Sequence, residues 1–338
     1  MPRVTVIVPC RNEQRTIGLL LQAIHDQTWA RHNMEVIVSD GMSTDGTRQA
    51  VADFAASHPH LAVRVVDNLD RNIPAALNRA VAAARGEVII RLDAHSVPRP
   101  DYVERCVRAL ESTGAANVGG VWEIRPSQDT WIARAIADAA GHRLGAGDAR
   151  YRTSGAAGET DTVPFGAFRR EWLERVGPFN ERLLTNEDYE FNVRLHQAGG
   201  RIWHDPAIVS TYFARGDLLS LARQYARYGY WKAQMLRMFP ESLRWRQALP
   251  PAFVLALMVL LPFSLIWGPA RVLLAIQLAG YGAVTVAAGV VQAVRSRDPL
   301  RAIGFPLALW TMHLAWGGAV LWGMVHNPIR GEGRSSGK

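Results

Sequence analysis

Three long uncharged apolar stretches, Pro250–Gly268, Val272–Val294 and Ala302–Val325, constrain this chain more than anything that precedes them. Each approaches the roughly 20 residues an α-helix needs to cross a hydrocarbon core. One such stretch can be a buried helix of a soluble core; three in succession predict a membrane bundle. The first is the shortest and is compatible with a tilted or re-entrant segment. Trp310, Trp316 and Trp322 give the third the character of an interface-anchored span. The charge follows the same division. From Arg215 onward there are 14 Lys/Arg against 4 Asp/Glu, while the whole chain carries +8, so residues 1–214 are slightly acidic. A basic, aromatic-rich stretch beside apolar spans points to an anionic membrane face. Nucleic-acid binding calls for a basic soluble domain and is not expected.

Arg295, Arg297 and Arg301 place the loop between the second and third spans in the cytoplasm, and the N-terminal domain with it. The expected location is therefore the inner (plasma) membrane, multi-pass. The basic tail (Arg330, Arg334, Lys338) then falls on the far side, against the rule. Val4–Val8 is too short for the apolar region of a signal peptide. Cys10 and Cys106 lack metal-type spacing and read as reduced thiols.

The first 110 residues alternate apolar runs with amphipathic stretches, the mark of βα units on a parallel sheet. Strands are predicted at Val4–Val8, Val36–Ser39, Val63–Asp67 and Val88–Leu92, with helices at Gln14–Asp26, Thr44–Ser57, Ile73–Arg85 and Asp101–Ser112. After Gly119-Gly120 the pattern loosens, leaving an amphipathic helix over 128–144, a small polar loop over 145–160 and a helix at Phe191–Ala198. Leu218–Phe239 reads as a basic, aromatic helix lying in the membrane interface. The expected organisation is an α/β domain over 1–214, an interfacial segment over 215–247, spans over 248–326 and a basic tail over 327–338.

Chemistry concentrates at predicted strand ends. Glu87–Ser96 is a short apolar strand that runs out onto Asp93 and His95. Ligands of open α/β sheets bind at that edge. A carboxylate and an imidazole there can hold a divalent cation, which in turn can hold a diphosphate; equally, Asp93 can cap a helix and His95 can be solvated. Pro9, Asn12 and Glu13 follow the first strand, and Asp40 ends the second, where it can accept hydrogen bonds from a uracil edge or a ribose. Asp45 reads as a helix cap. Glu187 and Asp188 precede an apolar-periodic helix. Carboxylates there can serve the macrodipole, or Asp188 can act as a general base with Glu187 orienting it. His204 follows a short predicted strand and is either a third metal ligand or a satisfied loop histidine. Gln224 and Arg227 share a helical face; Arg227 can clamp a diphosphate or meet lipid headgroups.

Taken in order, these residues resemble the family 2 glycosyltransferases with their GT-A fold. Val4–Glu13 is similar to the opening strand and loop, Asp40–Thr47 to the nucleoside turn, and Asp93-Ala94-His95 to the Asp-x-Asp metal motif. Glu187-Asp188 is similar to the catalytic acidic pair, and Gln224–Tyr228 to Gln-x-x-Arg-Trp with Tyr228 in place of Trp. The likeness covers about residues 1–232. Val163–Arg170 and the Asn186–Asp188 segment bring it nearest to glucosyltransferases of succinoglycan-type exopolysaccharide assembly.

The resemblance implies a GT-A catalytic domain followed by an interfacial helix and about three transmembrane helices. It implies inverting transfer from a nucleotide sugar, UDP-linked, to a polyprenyl-diphosphate-linked saccharide, with Mg²⁺ or Mn²⁺ at Asp93 and His95 and glycan-assembly proteins as partners. Gly166 would line the donor-sugar pocket. Three spans are few for a polysaccharide channel, which favours single-sugar addition. An imidazole ligand implies activity that falls as His95 protonates and a preference for Mn²⁺. The alternatives are transfer to polyprenyl phosphate itself and a non-catalytic scaffold of the same fold. A sugar nucleotidyltransferase needs a Gly-rich loop, and Pro9–Glu13 has no glycine.

Overall fold

The computed structural model describes residues 3–153 and 155–326; the basic tail over 327–338 lies outside them. Two compact units form, one from residues 1–123 and 149–212, the other from 124–148 and 213–338.

Nine strands build one mixed sheet: β1 Val4–Cys10, β2 Met34–Asp40, β3 Ala62–Asp67, β4 Val88–Arg91, β5 Val97–Pro98, β6 Asn117–Pro126, β7 Gly158–Glu159, β8 Ala167–Arg169 and β9 Ile202–Ala214. Their order is β3-β2-β1-β4-β8-β6-β9-β5, with β7 paired to β9. The helices in chain order are α1 Ile17–His25, α2 Thr47–Ser57, α3 Ile73–Ala83, α4 Tyr102–Thr113, α5 Trp131–Gly141, α6 Arg143–Ala146 and α7 Arg150–Thr153. They continue with α8 Arg170–Val176, α9 Glu187–Gln197, α10 Leu218–Met238, α11 Trp245–Phe263, α12 Gly268–Ser296 and α13 Arg301–Val325.

β1, β2, β3 and β4 pair in parallel, and β8 joins β4 antiparallel. β1 is buried along its whole length, as a strand covered on both faces must be. Its alternate residues feed two cores. Val4, Val6 and Val8 pack with Leu20, Val36, Tyr102 and Val107, while Ile7 packs with Ile37, Leu77, Ile89, Phe168 and Phe191. The chain runs outward from β1 to β3 and then returns to β4 on the other side of β1. That reversal opens a crevice at the carboxyl ends of β1 and β4. Cys10 pairs with Asp40 and Asp40 with Asp67, so the ends of β1, β2 and β3 are level.

The parallel half matches the sequence reading; the antiparallel half was not legible. Residues 145–160, expected as a polar loop, carry the end of α6, all of α7 and β7, and Ala167–Arg169, for which no strand was predicted, is β8. Glycines broke the hydropathy signal where strands come closest: a Cβ on Gly120 of β6 would lie 1.8 Å from the Ile208 carbonyl oxygen of β9. β1 also runs two residues further than expected, so Pro9 is a strand residue opposite Ser39.

The second unit is helical. A single break near residue 214 was expected; instead, residues 124–148 fold with the C-terminal helices. α13 is the hub, and small residues mark its crossings. A Cβ on Gly304 would meet Ala135 of α5 at 2.7 Å, and one on Gly317 would meet the Pro250 carbonyl of α11 at 2.5 Å. Gly229 of α10 and Gly289 of α12 approach α13 as closely, the first toward the Trp316 carbonyl at 2.5 Å and the second toward Pro306 at 2.8 Å. His313 Nε2 donates to the Leu144 carbonyl at 2.9 Å, so Nδ1 accepts from the Tyr281 hydroxyl at 2.8 Å. Arg301 pairs with Asp138 and with Asp298. α11, α12 and α13 are each long and apolar enough to cross a membrane. Exposed Leu255, Met258, Leu261, Ile276 and Val286 give α11 and α12 apolar outer faces.

Candidate active site

The centre of the site is a residue that sequence reasoning passed over. Arg91, the last residue of β4, is 5% exposed. Its Nε donates to Asp93 Oδ1 at 3.0 Å and its Nη1 to Glu187 Oε1 at 2.9 Å. One guanidinium thus joins the strand-end carboxylate to the head of α9, 96 positions along the chain. Burial pulls the guanidinium down, and Asp93, Glu187 and Asp188 more than offset it, so Arg91 stays charged. Burial lifts the Glu187 carboxyl, Arg91 opposes this, and Asp188 and Asp93 add to the lift; Glu187 ends above the usual carboxylate range. Three carboxylates share one buried cation here. The available signal was an arginine closing an otherwise apolar run, in Val88-Ile89-Ile90-Arg91.

Asp93 caps no helix. A turn closed by Ser96 on the Asp93 carbonyl follows it, and α4 begins only at Tyr102. Its side chain is 24% exposed. His95 is exposed, with Nδ1 3.2 Å from Glu13 Oε1. Burial raises the Glu13 carboxyl, but its bonds to His95 and Thr16 prevail and leave it lowered. Asp188 is partly exposed in the first turn of α9, where Oδ1 accepts the Tyr189 N–H at 2.7 Å.

His204 is not brought to Asp93 and His95. It lies within β9, fully buried, with Nε2 3.2 Å from the Gly155 carbonyl. Among the described residues no three His, Cys, Asp or Glu side chains gather in a metal-holding group. The inward direction of alternate strand residues accounts for its placement.

The loops after β1 and β2 are laced together. Asn12, at φ +55°, donates its N–H to Ser43 Oγ at 2.8 Å and accepts the Thr44 N–H at 2.8 Å. The Glu13 N–H bonds Thr47 Oγ1 at 2.8 Å, and Asp45, expected as the helix cap, accepts the Thr47 N–H at 3.0 Å from one residue before the N-cap Gly46. Asp40, expected to face the nucleoside, is 1% exposed. The Ser43 hydroxyl takes Oδ1 at 2.5 Å, while the Ser43 N–H at 3.1 Å and Arg48 Nε at 2.6 Å take Oδ2. Both cysteines are buried and unbridged, and burial pushes the Cys10 thiol up to about 12.

Gly166 lies beside Arg91, whose N–H donates to the Gly166 carbonyl at 3.0 Å. Phe165 at φ +61° and Gly166 at φ +91° turn the chain sharply. A Cβ on Gly166 would meet the Phe168 ring at 2.5 Å and Asn117 Oδ1 at 2.8 Å. Strained φ and overpacking together should make Gly166→Ala cost about 2–4 kcal/mol in a denaturant melt; an unshifted midpoint would show that the turn relaxes. Gln224 and Arg227 lie on α10 of the helical unit; Gln224 is buried and donates to the Tyr228 hydroxyl at 3.0 Å, and Arg227 is exposed.

A mixed sheet whose parallel half bears carboxylates at its switch point, joined to an acidic helix start, suits a ligand that carries a diphosphate through a cation. Comparison with known proteins makes the class specific. The family model for "Glycosyl transferase family 2" matches residues 5–177. The succinoglycan biosynthesis protein ExoA of Rhizobium meliloti (strain 1021) is 31% identical over 92% of this chain and 92% of its own length. A Methanococcus voltae dolichyl N-acetyl-α-D-glucosaminyl phosphate 3-β-D-2,3-diacetamido-2,3-dideoxy-β-D-glucuronosyltransferase is 26% identical, covering 72% of this chain and 76% of that one. Among solved structures, the Pyrobaculum calidifontis mannosyltransferase PcManGT in complex with GDP-Man and Mn²⁺ superposes with a TM-score of 0.64 at 27% identity, over 95% of this chain and 87% of that one. The chain belongs to glycosyl transferase family 2: it is a glycosyltransferase with a GT-A domain and a mostly helical C-terminal part.

Proposed function

We propose that this enzyme catalyses inverting transfer of a sugar, glucose, from UDP to a saccharide carried on a polyprenyl diphosphate, in exopolysaccharide or cell-envelope glycan assembly. We place its sheet unit at the cytoplasmic face of the inner membrane. The observation that carries the reading is the Asp93–Arg91–Glu187 bridge, which joins a strand-end carboxylate suited to a diphosphate to the helix start that bears Asp188. The succinoglycan relative supports exopolysaccharide assembly, the dolichyl-phosphate enzyme of Methanococcus voltae supports a lipid-linked acceptor, and the mannosyltransferase structure supports a nucleotide-sugar donor and a divalent cation.

In this reading Asp188 takes the proton of the acceptor hydroxyl as the oxygen attacks the anomeric carbon opposite the leaving UDP. One displacement inverts the configuration, and no enzyme nucleophile is required. Asp188 stands in the first turn of α9. Glu187, held by Arg91, orients that turn. Asn12 and Glu13 shape the nucleoside side, Gly166 lines the sugar pocket, and Gln224 and Arg227 serve the diphosphate.

The donor set suits a cation completed by substrate oxygens. Only Oδ1 of Asp93 is bonded to Arg91, the carboxylate is partly exposed, and the exposed His95 ring stands beside Glu13. Mg²⁺ or Mn²⁺ held by Asp93 and His95 would neutralise charge on the departing diphosphate.

A donor screen on protein in lipid nanodiscs, reading nucleotide release with and without a lipid-linked saccharide, tests this. Release from UDP-glucose is expected only with acceptor, to vanish on chelation, and to be faster with Mn²⁺ than Mg²⁺. Product formed with polyprenyl phosphate alone would overturn the acceptor. Turnover restricted to a GDP-sugar would overturn the donor.

A further inference from the structure

The loops that follow β1 and β4 meet through two side chains of unlike chemistry. Glu13 Oε1 stands 3.2 Å from His95 Nδ1, and the Thr16 hydroxyl donates to Glu13 Oε2 at 2.5 Å. Both carboxylate oxygens are thus engaged, and the side chain is held in one direction. The main chain of Glu13 is fixed separately. Its N–H bonds Thr47 Oγ1, and its carbonyl accepts the Thr16 and Ile17 N–H groups at the start of α1. β1 and β4 are neighbours in the sheet, so Glu13 reaches His95 across one strand spacing. An aspartate in place of His95 would face Glu13 as a like charge and gain no such partner.

An ionised carboxylate only accepts, whereas a neutral imidazole has one donor nitrogen and one acceptor nitrogen. Nδ1 beside Glu13 therefore carries the ring hydrogen, and the lone pair lies on Nε2. An imidazole binds metal through that lone pair. A carboxylate behind the ring fixes the tautomer, holds the ring plane and makes the ligand more basic. The His95 side chain is 43% exposed, open to a cation arriving in the crevice.

Resting on the reading of Asp93 and His95 as the cation's ligands, we infer that Glu13 is a positioning residue for that cation. Its carboxylate selects the His95 tautomer with hydrogen on Nδ1 and so presents Nε2 to Mg²⁺ or Mn²⁺. Thr16 keeps the carboxylate in place. The main chain of Glu13 belongs to the laced loops, and its side chain serves His95.

The test uses the full chain in nanodiscs. In the metal-free wild type, the ¹⁵N resonances that His95→Asp removes should place hydrogen on Nδ1. Mn²⁺ is then followed by pulsed electron paramagnetic resonance with inorganic pyrophosphate, a probe that contains no nitrogen, in a nitrogen-free buffer. The wild type should show a directly bound imidazole nitrogen, and His95→Asp should abolish that signal while Mn²⁺ still binds. Glu13→Gln should weaken Mn²⁺ binding about ten- to a hundred-fold, the range for loss of a partner behind a ligand. An amide offers Nδ1 either an oxygen or an NH₂ group and no longer selects the tautomer. In the His95→Asp background the same substitution should leave affinity nearly unchanged, since no ring remains to orient.

Hydrogen on Nε2, a bound Mn²⁺ without an imidazole nitrogen, or undiminished affinity in Glu13→Gln would each overturn the inference. An equal penalty in both backgrounds would do so too, because Glu13 would then act on the cation or the loop without His95. Absence of Mn²⁺ binding, or affinity that Asp93→Asn leaves unchanged, would instead overturn the cation reading itself.

Discussion

Asp188→Asn should lower kcat by about 10²- to 10⁴-fold, the range for removal of a general base, with the nucleotide dissociation constant nearly unchanged. Asp188 makes no bond to Arg91; the Arg91 guanidinium is held by Asp93 and Glu187. Its carboxylate accepts the Tyr189 N–H, a contact that an amide oxygen reproduces. The substitution therefore removes a basic site and one of the three negative charges around Arg91, and no hydrogen bond to that guanidinium. Calorimetry of UDP binding beside single-turnover sugar transfer separates the two effects. A kcat within threefold of wild type would move the base elsewhere. Equal loss of binding and rate would make Asp188 a structural anchor.

Arg91→Met should cost about 3–5 kcal/mol of stability, because it leaves Glu187 buried beside other carboxylates without a cation. The sign of the pH dependence follows from the raised Glu187 carboxyl. A carboxyl raised in the folded state favours folding at low pH and loses that advantage as pH rises toward neutrality. Without Arg91 the lift grows, so the variant should be nearest wild type around pH 5 and furthest from it around pH 8. Adding Glu187→Gln should restore much of the stability and none of the turnover, since the bridge to Asp93 is gone. Denaturant melts at both pH values, with transfer rates on the same samples, check each part. An Arg91→Met protein as stable as wild type at pH 8 would mean that water reaches Glu187.

The parallel half of the fold was readable because its strands are continuous apolar runs between amphipathic helices. The antiparallel half was not, because β6 and β9 carry Gly119, Gly120, His204 and Pro206 where backbones or side chains pack closely and so imitate loops, and β8 is only three residues long. At the candidate site, the places of Asp93 after a strand and of Glu187 and Asp188 at a helix start were legible, because acidic residues at such ends are conspicuous. Arg91 was not, since a charged residue inside an apolar run looks like a surface interruption until its two partners are placed. Asp40 misled in the opposite way. Its position at the end of β2 was as expected, but the Arg48 that bonds it lies eight residues further on, in the first turn of α2, where nothing in the sequence marks the pairing. His204 was misplaced because the predicted strand was too short: β9 runs Ile202–Ala214 and includes it, which turns its side chain inward.

The lengths of the apolar helices differ in a way that bears on lipid. α11, at 19 residues, extends about 28 Å, whereas α12, at 29 residues, extends about 43 Å. A hydrocarbon core of about 30 Å matches the first and falls short of the second. Even a tilt of about 40° leaves α12 a few ångströms too long. Excess length at the end of α12 that carries Arg295 and Ser296 would place that basic turn among the headgroups of a bilayer it crosses. A bilayer thicker than about 30 Å would suit α12 better than α11.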